Sequence, residues 1–192
     1  PSCAVGAGGM GVVYLARDLR LERAVAIKLG AARSSSALAR IQGEAAALAQ
    51  LSHPNVVVVH QVGQHAGRIY LAMEYVGGGT ARSWVGERPR TWREIVALYA
   101  AAGDGLAAAH STGMVHRDVK PDNVVVGDDG RPRVADFGLA RAIAAGDGDD
   151  EGATSGEVVA TKTGAVVGTL GYMPPEQLAG EAVDARADQF AF

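Results

Sequence analysis

The residues that could do chemistry are concentrated in 113–126, GMVHRDVKPDNVVV, and 135–141, ADFGLAR. The first stretch sets His116, Arg117, Asp118, Lys120 and Asn123 at fixed offsets and then runs into apolar text. In the second, Asp136 closes a short apolar run. An Asp carboxylate and the neutral oxygen of Asn123 are hard donors of the kind Mg²⁺ takes. Asp118, five residues before Asn123, is then left to accept a proton from an attacking hydroxyl. Lys120 supplies a cation to neutralise charge on a group in transfer. Either segment alone could consist of caps and turns, but together and in this order caps and turns do not account for them.

Side chains so spread along a chain need elements to bring them together. Residues 12–17 (VVYLAR) and 24–29 (AVAIKL) are short and β-branched, and read as two antiparallel strands. In 36–51, Leu38, Ile41, Ala45 and Leu48 recur at helical spacing. Glu44 interrupts that stripe and carries its carboxylate toward the packed face, which predicts a cationic partner. Residues 56–62 and 68–75 read as a strand pair, and GGG at 77–79 breaks the pattern. A long helix is predicted over 92–110, with Ile95, Leu98, Ala102, Leu106 and Ala109 inward, although Gly103 and Gly105 each cost about 1 kcal/mol relative to Ala. The small, acidic tract 144–157 is expected to be a mobile loop. The organisation is strand-rich to about residue 75, then jointed, then helix-rich. A cleft between such lobes is a favoured ligand site.

Two further motifs bear on that cleft. Gly6, Gly8 and Gly11 form a G-x-G-x-x-G-x-V pattern with Val13. Glycines let a backbone approach a phosphate and donate its N–H groups. A plain hairpin turn and a dinucleotide fold use the same letters, but the dinucleotide version needs a helix to start in the motif, and VVY follows here. That favours a strand–turn–strand lid. Lys28 sits inside VAIK, 25–28. Its long stem could simply reach solvent, yet the buried anion expected at Glu44 offers it a partner, and the pair would aim the ammonium at phosphate oxygens.

The totals exclude other classes. The 192 residues carry 18 basic and 21 acidic side chains, for a formal net charge of −3. No Lys/Arg-rich run is present that would suit a phosphate backbone, so nucleic acid is not an expected partner. With 48% hydrophobic and 20% charged residues, a packed core is within reach. Cys3 is the only cysteine, which excludes an internal disulfide and fits a reducing, cytoplasmic setting. No apolar run approaches a membrane span, and no signal peptide is visible. Both ends read as cut.

The series Gly6-x-Gly8-x-x-Gly11-x-Val13, Val25-Ala26-Ile27-Lys28, Glu44, His116-Arg117-Asp118, Asn123, Asp136-Phe137-Gly138 and Pro174-Pro175-Glu176 resembles the eukaryotic-type (Hanks-type) protein kinases, and HRDVKPDN and GTLGYMPPEQ resemble their bacterial Ser/Thr branch. The resemblance implies an α+β, two-lobed protein-kinase-like fold, truncated at both ends, with an N-lobe over 1–76 and a C-lobe over 77–192. It implies ATP and Mg²⁺ (or Mn²⁺) as cofactors and Ser/Thr hydroxyls of protein substrates as acceptors.

By that resemblance, the glycine lid (Gly6, Gly8, Gly9, Gly11) and Lys28 hold the ATP phosphates, Glu44 fixes Lys28, Asn123 and Asp136 hold metal, and Asp118 is the base. Lys120, followed by Pro121, contacts the transferred phosphate. Adenine lies between Val13 and Ala26 above and Val125 below, with Met73 as gatekeeper and the Glu74 and Val76 backbones at the joint. Leu48, Val59, His116 and Phe137 stack as a spine. Thr161 and Thr163 are the expected autophosphorylation sites, answering Arg117, and Thr169 bridges Asp118 and Lys120. Asp188 looks like the residue that braces the His-Arg-Asp backbone. Self-association, and a membrane anchor beyond residue 192, would fit many relatives. Two alternatives stay open: a small-molecule phosphotransferase of related fold, and a nucleotide-binding pseudokinase or scaffold.

Overall fold

The computed structural model describes residues 3–8, 11–30, 35–137 and 170–192, of which 3–8, 11, 35–41, 44 and 170 are described by their backbone alone. Alternating β-branched text in the first third produces a five-stranded antiparallel sheet. Its strands are β1 (Cys3–Gly8), β2 (Gly11–Asp18), β3 (Arg23–Leu29), β4 (Val59–His65) and β5 (Arg68–Glu74), in the order β1-β2-β3-β5-β4. The glycine motif is a hairpin end, with Gly8 paired to Gly11. Between β2 and β3, the Asp18 carboxylate accepts from the Arg20 and Leu21 N–H groups and closes the turn. The β4–β5 hairpin turns through Ala66 and Gly67, both at positive φ, which matches the twist of the flanking strands.

Helix α1 (Ser35–Gln50) crosses between β3 and β4, and buries Ala45 and Leu48. Those residues join Val59, Ile69, Leu71 and Met73 in one core. The run 56–62 is not a strand throughout. Val56 and Val57 instead lie along β8: Val57 N–H donates to the Val134 carbonyl at 2.9 Å, and Val134 N–H to the Asn55 carbonyl at 2.8 Å. A continuous apolar run has no period from which to tell these roles apart.

The second half holds a small sheet, β6-β7-β8 (Gly79–Thr80, Val124–Val126, Pro132–Val134), and helices α2 (Ala81–Glu87), α3 (Trp92–Ser111), α4 (Pro175–Leu178) and α5 (Ala185–Ala191). Helix α3 starts at a reciprocal cap, in which Thr91 and Glu94 each satisfy the other's backbone N–H. It buries Leu98, Ala102, Leu106 and Ala109, whereas Ile95 is only half-buried. Gly105 has a structural cause: a Cβ there would lie 2.4 Å from the Asn55 carbonyl oxygen. The helix thus gives up about 1 kcal/mol of propensity to let the 53–57 connection press against it. The tract 144–157 lies outside the described residues.

Candidate active site

Helix α3 ends at Ser111, and Gly113, at φ +80, turns the chain back under the sheet. The next residues are held by buried hydrogen bonds rather than by regular structure. The Asp188 side chain, only 1% exposed, accepts from His116 N–H and Arg117 N–H at 2.7 Å each. His110 donates to the same carboxylate from Nε2 at 2.7 Å. Arg117 has φ 66, a left-handed conformation that costs a non-glycine residue about 1–3 kcal/mol. Its carbonyl accepts from Gln177 Nε2 at 3.1 Å, so both sides of the strained residue are gripped.

His116 is fully buried. Its Nδ1 accepts from Asp118 N–H at 3.2 Å, and its Nε2 donates to the Ala135 carbonyl at 2.8 Å. Only the neutral Nε2–H tautomer makes both bonds. Burial drives the His116 pKa below the ordinary value, against the smaller opposing effect of its bond to Ala135. The ring also lies 4.7 Å from that of Phe137, centroid to centroid. His116 therefore spans the two chemical segments, hydrogen-bonding the residue before Asp136 and the residue that is the expected base.

Around it the expected side chains gather. Lys120 Nζ and Asn123 Nδ2 donate to Asp118 Oδ2 at 2.7 and 2.8 Å, and Asn123 Nδ2 also donates to the Asp118 carbonyl at 2.7 Å. None of these bonds uses Asp118 Oδ1, and with the Asn123 amide nitrogen so engaged its oxygen points elsewhere. Lys28, 2% exposed, donates from Nζ to Asp136 Oδ2 at 2.8 Å across 108 residues of sequence. Asp136 sits at φ 62, the second strained residue of the site.

Opposite the loop, Ala26 pairs with Met73 and Lys28 with Val13 across the sheet. Val13 and Val125 are half-buried, while Ala26 and Met73 are buried. Glu74 N–H donates to the Val58 carbonyl at 2.8 Å, so that backbone donor is engaged within the protein. Leu48, Val59, Met73 and Phe137 line a common small apolar cavity.

Some expectations fall elsewhere. The Glu44 side chain, Gly9, Gly138, Thr161, Thr163 and Thr169 lie outside the described residues, so the expected Lys28–Glu44 pair does too. The partner seen for Lys28 is Asp136. Three pairings were missed by the sequence reading. His110 supports Asp188 from six residues before His116. Arg133 on β8 bridges Glu74 at 3.2 Å and Asp129 at 2.9 Å, tying the two sheets behind the joint. Arg82 holds Asp122. His110–Asp188, Arg133–Glu74 and Arg82–Asp122 each join residues distant in sequence, and no local signal marks them.

The chain matches the family model described as the protein kinase domain over residues 2–192. It is 41% identical over 194 residues to the serine/threonine-protein kinase PknJ of Mycobacterium tuberculosis, a match covering 97% of this chain and 31% of that protein. Against PknB of the same organism it is 43% identical over 195 residues, covering 97% and 30%. The chain thus spans about a third of the length of these curated relatives. The crystal structure of the Mycobacterium tuberculosis PknI kinase domain superposes with a TM-score of 0.71 at 32% identity, covering 98% of this chain and 68% of that one.

Proposed function

The chain belongs to the protein kinase domain family, and from that premise we propose that it transfers the γ-phosphoryl group of ATP to Ser or Thr hydroxyls of proteins. One observation carries the reading: Asp118, oriented by Lys120 and Asn123, is tied through His116 to the segment that presents Asp136 to Lys28. We assign residues 1–76 and 77–192 to two lobes, with ATP between them.

The roles follow from the chemistry each group offers. Asp118 accepts the proton of the attacking hydroxyl, and its engaged Oδ2 fixes which way the carboxylate faces. Lys120 stands beside it as the cation nearest the group in transfer. Lys28, buried on β3, exchanges its bond to Asp136 for the triphosphate, and the glycine hairpin closes over it by donating backbone N–H groups. Val13, Ala26, Met73 and Val125 enclose the flat base, with the Glu74 carbonyl and the Val76 backbone at its edge.

The Asp136 carboxylate and Asn123 amide oxygen are hard donors that fit Mg²⁺, an ion that takes one or two protein oxygens and completes its shell from phosphate and water. When bound, the ion neutralises charge on the β- and γ-phosphates. Lys28 then keeps Asp136 from being an uncompensated anion in the metal's absence.

Phosphate on Thr161 and Thr163 would pair with the exposed Arg117. No helix among the described residues is long and apolar enough to cross a membrane, and a cytoplasmic setting agrees with the need for ATP.

The test is transfer of labelled phosphate from MgATP to an unfolded acceptor protein, followed by identification of the labelled amino acid. We expect phosphoserine and phosphothreonine, and a fall of about 10³-fold in Asp118→Asn. Label at the Asp118→Asn level in the parent protein would sink the reading.

A further inference from the structure

The last two side chains of α4 are buried in the reverse of their polarity: Leu178 is 45% exposed, while Gln177 is 5% exposed. A helix seated by packing alone would bury the leucine and leave the amide in water. Burying an amide is costly unless it is hydrogen-bonded, and Gln177 Nε2 donates to the Arg117 carbonyl at 3.1 Å. The same peptide unit is held at its other end, where Asp118 N–H donates to His116 Nδ1 at 3.2 Å. A planar group anchored through both its oxygen and its hydrogen does not rotate freely. This plane joins Arg117, at φ 66, to Asp118.

That peptide decides where the proposed base points. Turning it about the line between the two Cα atoms moves the Asp118 nitrogen, and the Cα–Cβ bond with it. Lys120 and Asn123 fasten the Asp118 carboxylate, but they belong to the same stretch of chain and travel with it. Among the described residues, the hydrogen bonds that refer 116–118 to other segments come from Asp188, Ala135 and Gln177. Asp188 and Ala135 reach His116 and the Arg117 N–H, and of the three only Gln177 reaches the peptide that carries Asp118. A left-handed backbone at a non-glycine residue persists where its surroundings over-determine it, so loss of that one donor lets the peptide relax.

Resting on the kinase reading, we propose that Gln177 is a positioning residue for phosphoryl transfer: it holds the Arg117–Asp118 peptide plane from outside the loop and makes the direction of the Asp118 carboxylate conditional on α4 being seated. Gln177 acts through the backbone and touches neither nucleotide nor acceptor.

Gln177→Met keeps the length of the side chain and removes the donor. In transfer from MgATP to the unfolded acceptor protein, kcat should fall about tenfold, with KM for ATP within about twofold of the parent, as expected when only transition-state alignment is lost. Turnover is counted per folded molecule, the folded fraction being read from each variant's urea titration. Gln177→Glu gives the second measurement. Ionised, the substituted carboxylate has no proton to offer the Arg117 carbonyl; protonated, its O–H donates to that oxygen, and burial favours the protonated form. The kcat of Gln177→Glu divided by that of Gln177→Met should therefore rise about fivefold from pH 8 to pH 6. Asp118, Asp188, His110 and His116 are common to both variants, so their titrations cancel in the ratio. A side chain that merely filled space would leave kcat of Gln177→Met near the parent's and the ratio flat in pH, and either result overturns the inference. Transfer by the parent no greater than that of Asp118→Asn overturns the kinase reading instead.

Discussion

In β3, Lys28 is placed by ladder pairing, with Val13 beside it on β2 and Leu71 on β5, and by the apolar residues that bury its stem. In the loop after α3, Asp118 is placed by a relay of polar contacts: Asp188 to the backbone, His116 to the Asp118 N–H, Lys120 and Asn123 to its carboxylate. The sheet distributes the task over many small, non-directional contacts. The loop entrusts it to a few directional bonds in a dry setting, and uses them to hold Arg117 in a conformation it would not choose. Position held by packing tolerates the loss of one group, while position held by a buried polar network does not. That asymmetry can be measured.

The loop should break first, at Asp188. Replacing it by Asn keeps the shape but turns one acceptor into a donor facing His116 N–H or Arg117 N–H. The buried bonds lost and the repulsion gained cost about 3 kcal/mol of folding stability, read as a lower urea midpoint. Released strain at Arg117 moves Asp118 as well, so turnover should fall by about 10²-fold even at saturating ATP. Stability within about 0.5 kcal/mol of the parent would refute the view that the bonds of Asp188 hold the loop.

Lys28→Met is the counterpart in the sheet. An apolar residue of similar length fills the same buried track and the desolvation cost of the ammonium disappears, while Asp136, whose side chain is 24% exposed, loses its cation but is left to water rather than stranded in a dry site. Stability should change by less than about 1 kcal/mol in either direction. Phosphoryl transfer should nevertheless drop by about 10²-fold or more, because a cation aimed at the phosphates is gone. The two substitutions thus divide the molecule: one harms fold and chemistry together, the other chemistry alone. A loss of stability in Lys28→Met as large as that in Asp188→Asn would erase the distinction.

The same contrast decides what could be read from the sequence. Lys28, Asp118, Asn123 and Asp136 stand out in the sequence as site candidates because residue type and spacing mark them, and the strands and long helices stand out because packing imposes a period. The positive φ values of Arg117 and Asp136 do not, since nothing in the letters Arg or Asp marks a left-handed backbone. Asp188 was named as a brace only through family resemblance, and His110, the third donor to it, was passed over as ordinary helix text. Val56 and Val57 read as ladder strand because burial on β8 and burial in a ladder select the same side chains. Directional contacts between distant segments leave no periodic trace, which is why the loop's residues were foreseen and their fastening was not.

The smallest expected effect tests the link between the two segments. His116 must stay neutral to accept from Asp118 N–H while donating to Ala135. Its pKa in the folded protein is lowered, first by burial, whereas in the unfolded chain it returns to about 6.5. Below that pH the unfolded state takes up a proton that the folded state refuses, so stability is full above pH 6.5 and declines as the pH falls toward the depressed folded value. The slope approaches one proton, and the loss should reach about 1 kcal/mol between pH 6.5 and 5.5. Other groups titrate in the same range, so the measurement is the difference in urea midpoint between the parent and His116→Gln at each pH. The variant starts less stable, having an imperfect copy of the two bonds, but it carries no group that protonates there, and the gap should narrow on acidification. A gap independent of pH would mean that His116 already accepts the proton in the folded loop. The relay from Asp118 to Ala135 could not then depend on a neutral ring.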